Sequence, residues 1–217
     1  MANIPSSLAF ASLLQYAPRG QSVPSVLSRD VTYKIKQDGY VGRYRIIDFS
    51  AERLAQEIAA YPFLANYFNP DVTLVPVPRS SPLVNPAALW PPLRICQSIL
   101  SQGLAAGILP CLERSQPVQK SATAPTGGRP SPADHYHSVT ITGALRPVPK
   151  AITLVDDVIT RGSSFLGLVP RLQEAFPGIE IRCFALVRTI SGAEIDRVLD
   201  PVEGTITFNG LDPHRRP

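Results

Sequence analysis

Ala151-Ile152-Thr153-Leu154-Val155-Asp156-Asp157-Val158-Ile159-Thr160-Arg161-Gly162-Ser163-Ser164 is the stretch that decides how this 217-residue chain is read. Residues 151–155 are apolar without clean alternation, as expected of a strand buried on both faces of a parallel sheet. Two adjacent acids follow. A buried unpaired carboxylate is costly, so Asp156 and Asp157 are not both core groups. Residues 160–164 are mostly small or hydroxyl-bearing and lead into a helix predicted over about 163–176, burying Phe165, Leu168, Leu172 and Phe176. Pro170 is expected to bend that helix, and Gly178 follows its end. Further strands are predicted over 179–187 and 204–208. Strand, loop, helix, strand is the grammar of a parallel sheet covered by helices. Ligands of such sheets bind beyond the carboxyl ends of the strands. Acids for hydroxyls or a metal, then free helix-terminal N–H groups suited to phosphate, describe a sugar-phosphate site. The patterns GxxxxGK[ST] and GxGxxG are absent, so this is neither a P-loop nor a dinucleotide fingerprint.

Upstream, 72–77 is a short β-branched run stopped by Pro78-Arg79-Ser80-Ser81-Pro82. Pro92 suits the first turn of a helix in which Leu93, Cys96, Ile99 and Leu100 recur at helical spacing. Nearer the start, 13–16 reads as a strand ended by Pro18 and Gly20, and 31–35 alternates like a half-buried strand. Ser50 is the expected N-cap of a helix reaching Ala60, with Leu54, Ile58 and Tyr61 on its buried stripe. Residues 115–137 are polar, rich in Pro, Ser and Thr, and carry little apolar periodicity. They are expected to form a long exposed loop.

The composition sets the outer limits. Twenty-three prolines exclude a long coiled coil or an all-helical bundle. Hydrophobic residues at 44% and charged residues at 18% exclude wholesale disorder. A net charge of +4 suits a phosphate-bearing ligand but is too small to argue for a nucleic-acid partner, and none is expected. Cys96, Cys111 and Cys183 form no CxxC pair, so neither a zinc ribbon nor a disulfide framework is indicated. No apolar run is long enough for a membrane span, and no basic residue precedes Arg19, so a cytoplasmic location is expected. The expectation is one α/β domain over 1–217, a central mostly parallel sheet flanked by helices. The terminal segments, 1–47 and the tail beyond Ile195, are expected to form a small hood.

The stretch from Ile152 to Ser164 resembles the PRPP-binding signature of type I phosphoribosyltransferases, with Thr153 where an aliphatic residue is usual. Tyr33-Lys34-Ile35-Lys36, Val75-Pro76-Val77-Pro78 and Phe184-Ala185-Leu186-Val187-Arg188-Thr189 extend the likeness to the ComF-type members, which are competence-associated and amidophosphoribosyltransferase-like. The resemblance implies the type I phosphoribosyltransferase fold and Mg²⁺-dependent transfer of 5-phosphoribosyl from PRPP to a nitrogen acceptor. It implies that Asp156 and Asp157 hold the ribose 2′- and 3′-hydroxyls, directly or through Mg²⁺. Thr160, Arg161, Gly162, Ser163 and Ser164 would then bind the 5-phosphate, and Pro78, Arg79, Ser80 and Ser81 would form the pyrophosphate loop. Residues 115–137 fall where the family keeps a mobile catalytic loop, with Lys120, Arg129 and His135 as its candidate cations. His135 and His137 are also weighed as a metal pair.

Family analogy implies a homodimer. Two features of the family are missing here: the four-cysteine zinc module of many relatives, and the nucleophilic cysteine domain of glutamine-dependent enzymes. Thr160 replaces the acid of purine-salvage relatives, which disfavours a hypoxanthine-guanine enzyme. The alternative function is a non-catalytic PRPP- or nucleotide-binding module with a regulatory or DNA-uptake role.

Overall fold

The computed structural model describes residues 3–119, 128–143, 147–192 and 194–217. The first half comprises β1 (Ser7–Tyr16), α1 (Val23–Lys36), β2 (Tyr40–Val41), β3 (Tyr44–Arg45), α2 (Ile46–Glu57), α3 (Leu64–Tyr67), β4 (Val72–Pro76) and α4 (Pro91–Ser101). Then come β5 (Gly107–Ile108), β6 (Leu112–Arg114), α5 (Pro132–His137), β7 (Val139–Ile141) and β8 (Ala151–Ile159). The chain closes with α6 (Ser163–Ala175), β9 (Glu180–Thr189), β10 (Leu199–Phe208) and β11 (Pro213–Arg216).

Five parallel strands, in the order β5-β4-β8-β9-β1, form the body of a seven-stranded sheet. β10 and β11 continue it antiparallel beyond β1. Side chains alternate across the pleat. Phe10, Ile152, Leu154, Cys183 and Ala185 pack with Phe165, Leu168 and Leu172 of α6. Ala11, Leu13, Leu74, Val155, Phe184 and Leu186 share the opposite core with Ile35, Leu54, Ile95 and Cys96 of α1, α2 and α4. Helices thus cover both faces, which is why β8 is apolar on both. Truncating an enclosed leucine such as Leu154 costs about 2–5 kcal/mol. Thr153 is also fully buried, and its Oγ1 donates to the Tyr67 carbonyl at 2.7 Å. The hydroxyl in an otherwise apolar run therefore anchors the end of α3.

From β4 the chain crosses through α4 to β5 on one side, then returns to β8 on the other side of β4. The gap between the carboxyl ends of β4 and β8 is therefore the topological switch point, where open α/β sheets place their ligands.

Four expectations are corrected. The terminal segments do not form a separate hood. β1 lies inside the sheet between β9 and β10, and β10 and β11 make its edge. Phe10, Ala11 and Leu13 are all fully buried, as an interior strand requires. Residues 31–35 belong to helix α1. Ser22 caps it by accepting from the Ser25 N–H, and its buried face is Ser25, Ser28, Thr32 and Ile35. Ser50 lies inside α2 rather than capping it, and its Oγ donates to the Ile46 carbonyl at 2.7 Å. Finally, the 115–137 segment ends in α5, started by a reciprocal capping box between Ser131 and Asp134. Gly167 lets α5 lie against α6, because a Cβ there would sit 2.2 Å from the Pro132 carbonyl oxygen.

Candidate functional site

β8 carries its two acids just past the ladder it shares with β4. The last residue pair is Pro76 with Val155, and the Val77 N–H adds one more bond to the Val155 carbonyl at 2.8 Å. Asp156 and Asp157 therefore stand at the switch point, beside the 77–81 turn. Local donors orient them. Asp156 Oδ1 accepts from the Asp157 N–H at 2.9 Å, and Asp157 Oδ1 accepts from the Val158 N–H at 2.8 Å. Ser164 Oγ donates to Asp156 Oδ2 at 3.3 Å, which ties this acid to the first turn of α6. Burial and the adjoining Asp157 charge push the Asp156 carboxyl well above the usual carboxylate range.

The turn into α6 depends on Gly162. Its φ is +89°, and a Cβ there would meet Ile206 Cδ1 at 2.6 Å. The helix has no side-chain cap, and the Leu166 N–H bonds to the Gly162 carbonyl at 3.1 Å. The N–H groups of Ser163, Ser164 and Phe165 therefore have no intrahelical acceptor, while Ser163 and Ser164 add hydroxyls beside them. Such a terminus attracts phosphate. Thr160 and Arg161 are exposed. Arg161 pairs with Asp212 at 3.2 Å, and the Thr160 carbonyl accepts from Arg215 Nε at 2.9 Å.

Across the switch point, the Pro78, Arg79, Ser80, Ser81 turn is pinned at several atoms. Trp90 Nε1 donates to the Val77 carbonyl at 2.7 Å, and the Val118 N–H donates to the Ser80 carbonyl at 2.8 Å. The second bond attaches the root of the 115–137 segment to the turn. Arg79 Nη1 is buried and has no hydrogen-bond partner among the described residues. A cavity of about 150 Å³ collects Pro78, Arg79 and Ser81 with Trp90, Leu112 and Arg114.

Arg114 is a site residue that the sequence did not announce. Its Nε donates to the Arg79 carbonyl at 3.0 Å and its Nη1 to Ser138 Oγ at 2.6 Å. Burial lowers its pKa to about 10, while the Asp156 charge opposes that fall. A positive charge thus stands behind both the acids and the turn. No local pattern marks it, because its position depends on β6 pairing with β7 about a loop away in sequence.

The expected residues do not all converge. A second cavity, of about 440 Å³, includes Thr160 and Arg161, and Asp156 and Asp157 line neither cavity. Lys120 lies outside the described residues. Arg129 is exposed. His135 is a correction to the set of loop cations. It is buried in α5, and burial together with the Arg114 charge lowers its pKa to about 4, so it is neutral near pH 7. His137 is exposed on the same helix. Two residues apart on a helix, the two point about 160° apart, which also disposes of the metal pair. Among the described residues no three His, Cys, Asp or Glu side chains converge on a metal position. Two adjacent carboxylates do suit Mg²⁺, which takes one or two carboxylates and completes its shell with substrate oxygens and water. No protein-family model matches the chain, and no curated protein matches it.

Proposed function

We propose that the chain is a phosphoribosyltransferase that moves the 5-phosphoribosyl group of PRPP to a nitrogen nucleophile and releases pyrophosphate. One observation carries this reading. The acid pair Asp156 and Asp157 stands ahead of an uncapped helix start, with Arg79, whose buried Nη1 has no partner among the described residues, on the turn across the switch point. Carboxylates, a phosphate cradle and a cation over one sheet end match the three parts of PRPP.

Asp156 and Asp157 accept hydrogen bonds from the ribose 2′- and 3′-hydroxyls. The free N–H groups at the start of α6, with the Ser163 and Ser164 hydroxyls, hold the 5-phosphate. Arg79 meets the pyrophosphate, and Arg114 braces the turn through the Arg79 carbonyl. Asp156 and Asp157 would also hold Mg²⁺, which when bound supplies positive charge to the departing pyrophosphate. The C1–oxygen bond breaks, the C1–nitrogen bond forms, and the acceptor proton leaves to solvent. Positioning and fixed charge do most of this work.

Calorimetry with PRPP and Mg²⁺ tests the reading. Wild type binds, and Asp157→Ala weakens binding at least about tenfold, the scale of one lost charge-assisted contact. Absence of binding by wild type, or equal binding by the variant, overturns it.

One observation favours a second reading, a PRPP- or nucleotide-binding module without turnover. His135 is folded away as a neutral residue, which leaves fewer cations to close over pyrophosphate. Tight PRPP binding without pyrophosphate release across a panel of amines and nucleobases would select that reading.

A further inference from the structure

Arg79 stands on a turn that has left the sheet. The last bond to the neighbouring strand runs from the Val77 N–H to the Val155 carbonyl at 2.8 Å. Beyond it, two carbonyls of the turn are held from the 112–118 stretch. The Val118 N–H donates to Ser80, and Arg114 Nε donates to Arg79 at 3.0 Å. The aim of the Arg114 guanidinium therefore matters, and a second bond fixes it. Its Nη1 donates to Ser138 Oγ at 2.6 Å.

Ser138 closes α5. A serine hydroxyl has one proton and two lone pairs. Here the proton goes to the Asp134 carbonyl one turn back, which leaves a lone pair facing the guanidinium. The backbone at this point is clamped from two sides. The Ser138 carbonyl accepts from the Ser115 N–H at 2.9 Å. The Val139 carbonyl accepts from Nε and Nη2 of Arg171, at 3.1 and 2.7 Å. Arg171 belongs to α6 and also lies over the Tyr136 ring of α5. A relay of hydrogen bonds thus runs from the body of α6, through Val139, Ser138 and Arg114, to the Arg79 carbonyl.

The two ends of this relay are the two phosphate-binding parts of the site, the start of α6 and the 78–81 turn. A ribose ring fixes the distance between the phosphate groups it carries, so the groups that meet them must be held to within about 0.5 Å of a matching distance. We propose that Ser138 and Arg114 are positioning residues that set the 78–81 turn at that distance from α6. At 5% and 3% exposure, neither is open enough to bind a ligand itself. Pyrophosphate binding depends on them. Binding of the 5-phosphate does not, because Gly162 and Ser164 place the start of α6. This inference rests on the phosphoribosyl reading.

The test is calorimetry of the whole chain in Mg²⁺ with pyrophosphate and, separately, with ribose 5-phosphate. Wild type is expected to bind both. Ser138→Ala should weaken pyrophosphate binding about fivefold, the scale of one lost hydrogen bond, and leave ribose 5-phosphate binding within about twofold. Arg114→Lys keeps the charge but loses the planar fork that reaches two acceptors at once, and should show the same split. It stays decisive if Ser138→Ala fails to fold. Pyrophosphate binding equal to that of wild type in either folded variant overturns the proposal. Equal weakening of both ligands also overturns it, since that is what a general loosening of the fold produces. Wild type that binds neither ligand overturns the phosphoribosyl reading and this proposal with it, whereas binding of both without the split overturns the proposal alone.

Discussion

Acidification should destabilise the fold through one identifiable side chain. His135 is neutral in the folded protein, its pKa lowered from 6.5 to about 4 by burial and by Arg114, against an opposing pull from Asp134. In the unfolded chain the same imidazole takes a proton below about pH 6.5. Between these values the unfolded state binds more protons than the folded one, so stability falls as pH falls from 6.5 towards 4. At about 1.36 kcal/mol per pH unit, the whole window is worth about 3 kcal/mol. His135→Leu removes the titration and also the unpartnered Nδ1. Urea unfolding followed by circular dichroism, at a series of pH values from about 7.5 down to 4, measures both proteins. Carboxylates add their own acid sensitivity to each, so the informative quantity is the wild-type minus variant difference. It should move by about 3 kcal/mol towards the variant across the window. A difference that stays constant with pH refutes the assignment of a neutral, buried His135.

Three further outcomes are expected. Gly162→Ala combines a left-handed φ with a contact against Ile206 and should cost about 1–3 kcal/mol. Ile206→Ala in the same chain should return the steric part but not the backbone part, which chemical denaturation of the double variant would reveal. Glu194 caps the start of α1 from the 190–198 connection, accepting from the Gln21 and Ser22 N–H groups and the Ser25 hydroxyl. These bonds lower its pKa from 4.5 to about 2. The stability it contributes is therefore present above pH 4.5 and lost as pH falls towards 2, and Glu194→Gln should flatten the acid limb of a thermal-melt series there. Thr153→Val keeps the shape but strips the donor from the buried Tyr67 carbonyl, at a cost of about 1–3 kcal/mol by urea unfolding.

The elements that bury apolar groups on a regular period were legible. β8, β4, α4, α6 and β9 follow from runs such as Leu154-Val155 and from Phe165, Leu168 and Leu172, because their partners are other apolar groups. α1 was misread for the reverse reason. Its core face is mostly hydroxyls, Ser25, Ser28 and Thr32 beside Ile35, while Val23, Val26 and Leu27 are exposed, so no apolar stripe at helical spacing marks the helix and 31–35 shows only the alternation of a strand. α5 is six residues long inside a polar, proline-rich stretch, and its one local signal was the spacing of Ser131 and Asp134. The acid pair and the turn after it could be read because they are contiguous. Arg114 and Arg215 could not, since each reaches its neighbours only through strand pairing distant in sequence.

The place of β1 has a consequence for synthesis. Its partners are Cys183–Thr189 on one side and residues 199–207 on the other. A ribosome makes β1 well before its partners, and about 170 further residues must emerge before either neighbour exists. β4 and β8 can associate earlier, leaving Phe10 and Leu13 without their sheet partners until β9 has emerged. A slow, late docking step follows from such long-range pairing, and a nascent chain stalled before β9 offers an unprotected apolar strand to chaperones or to aggregation.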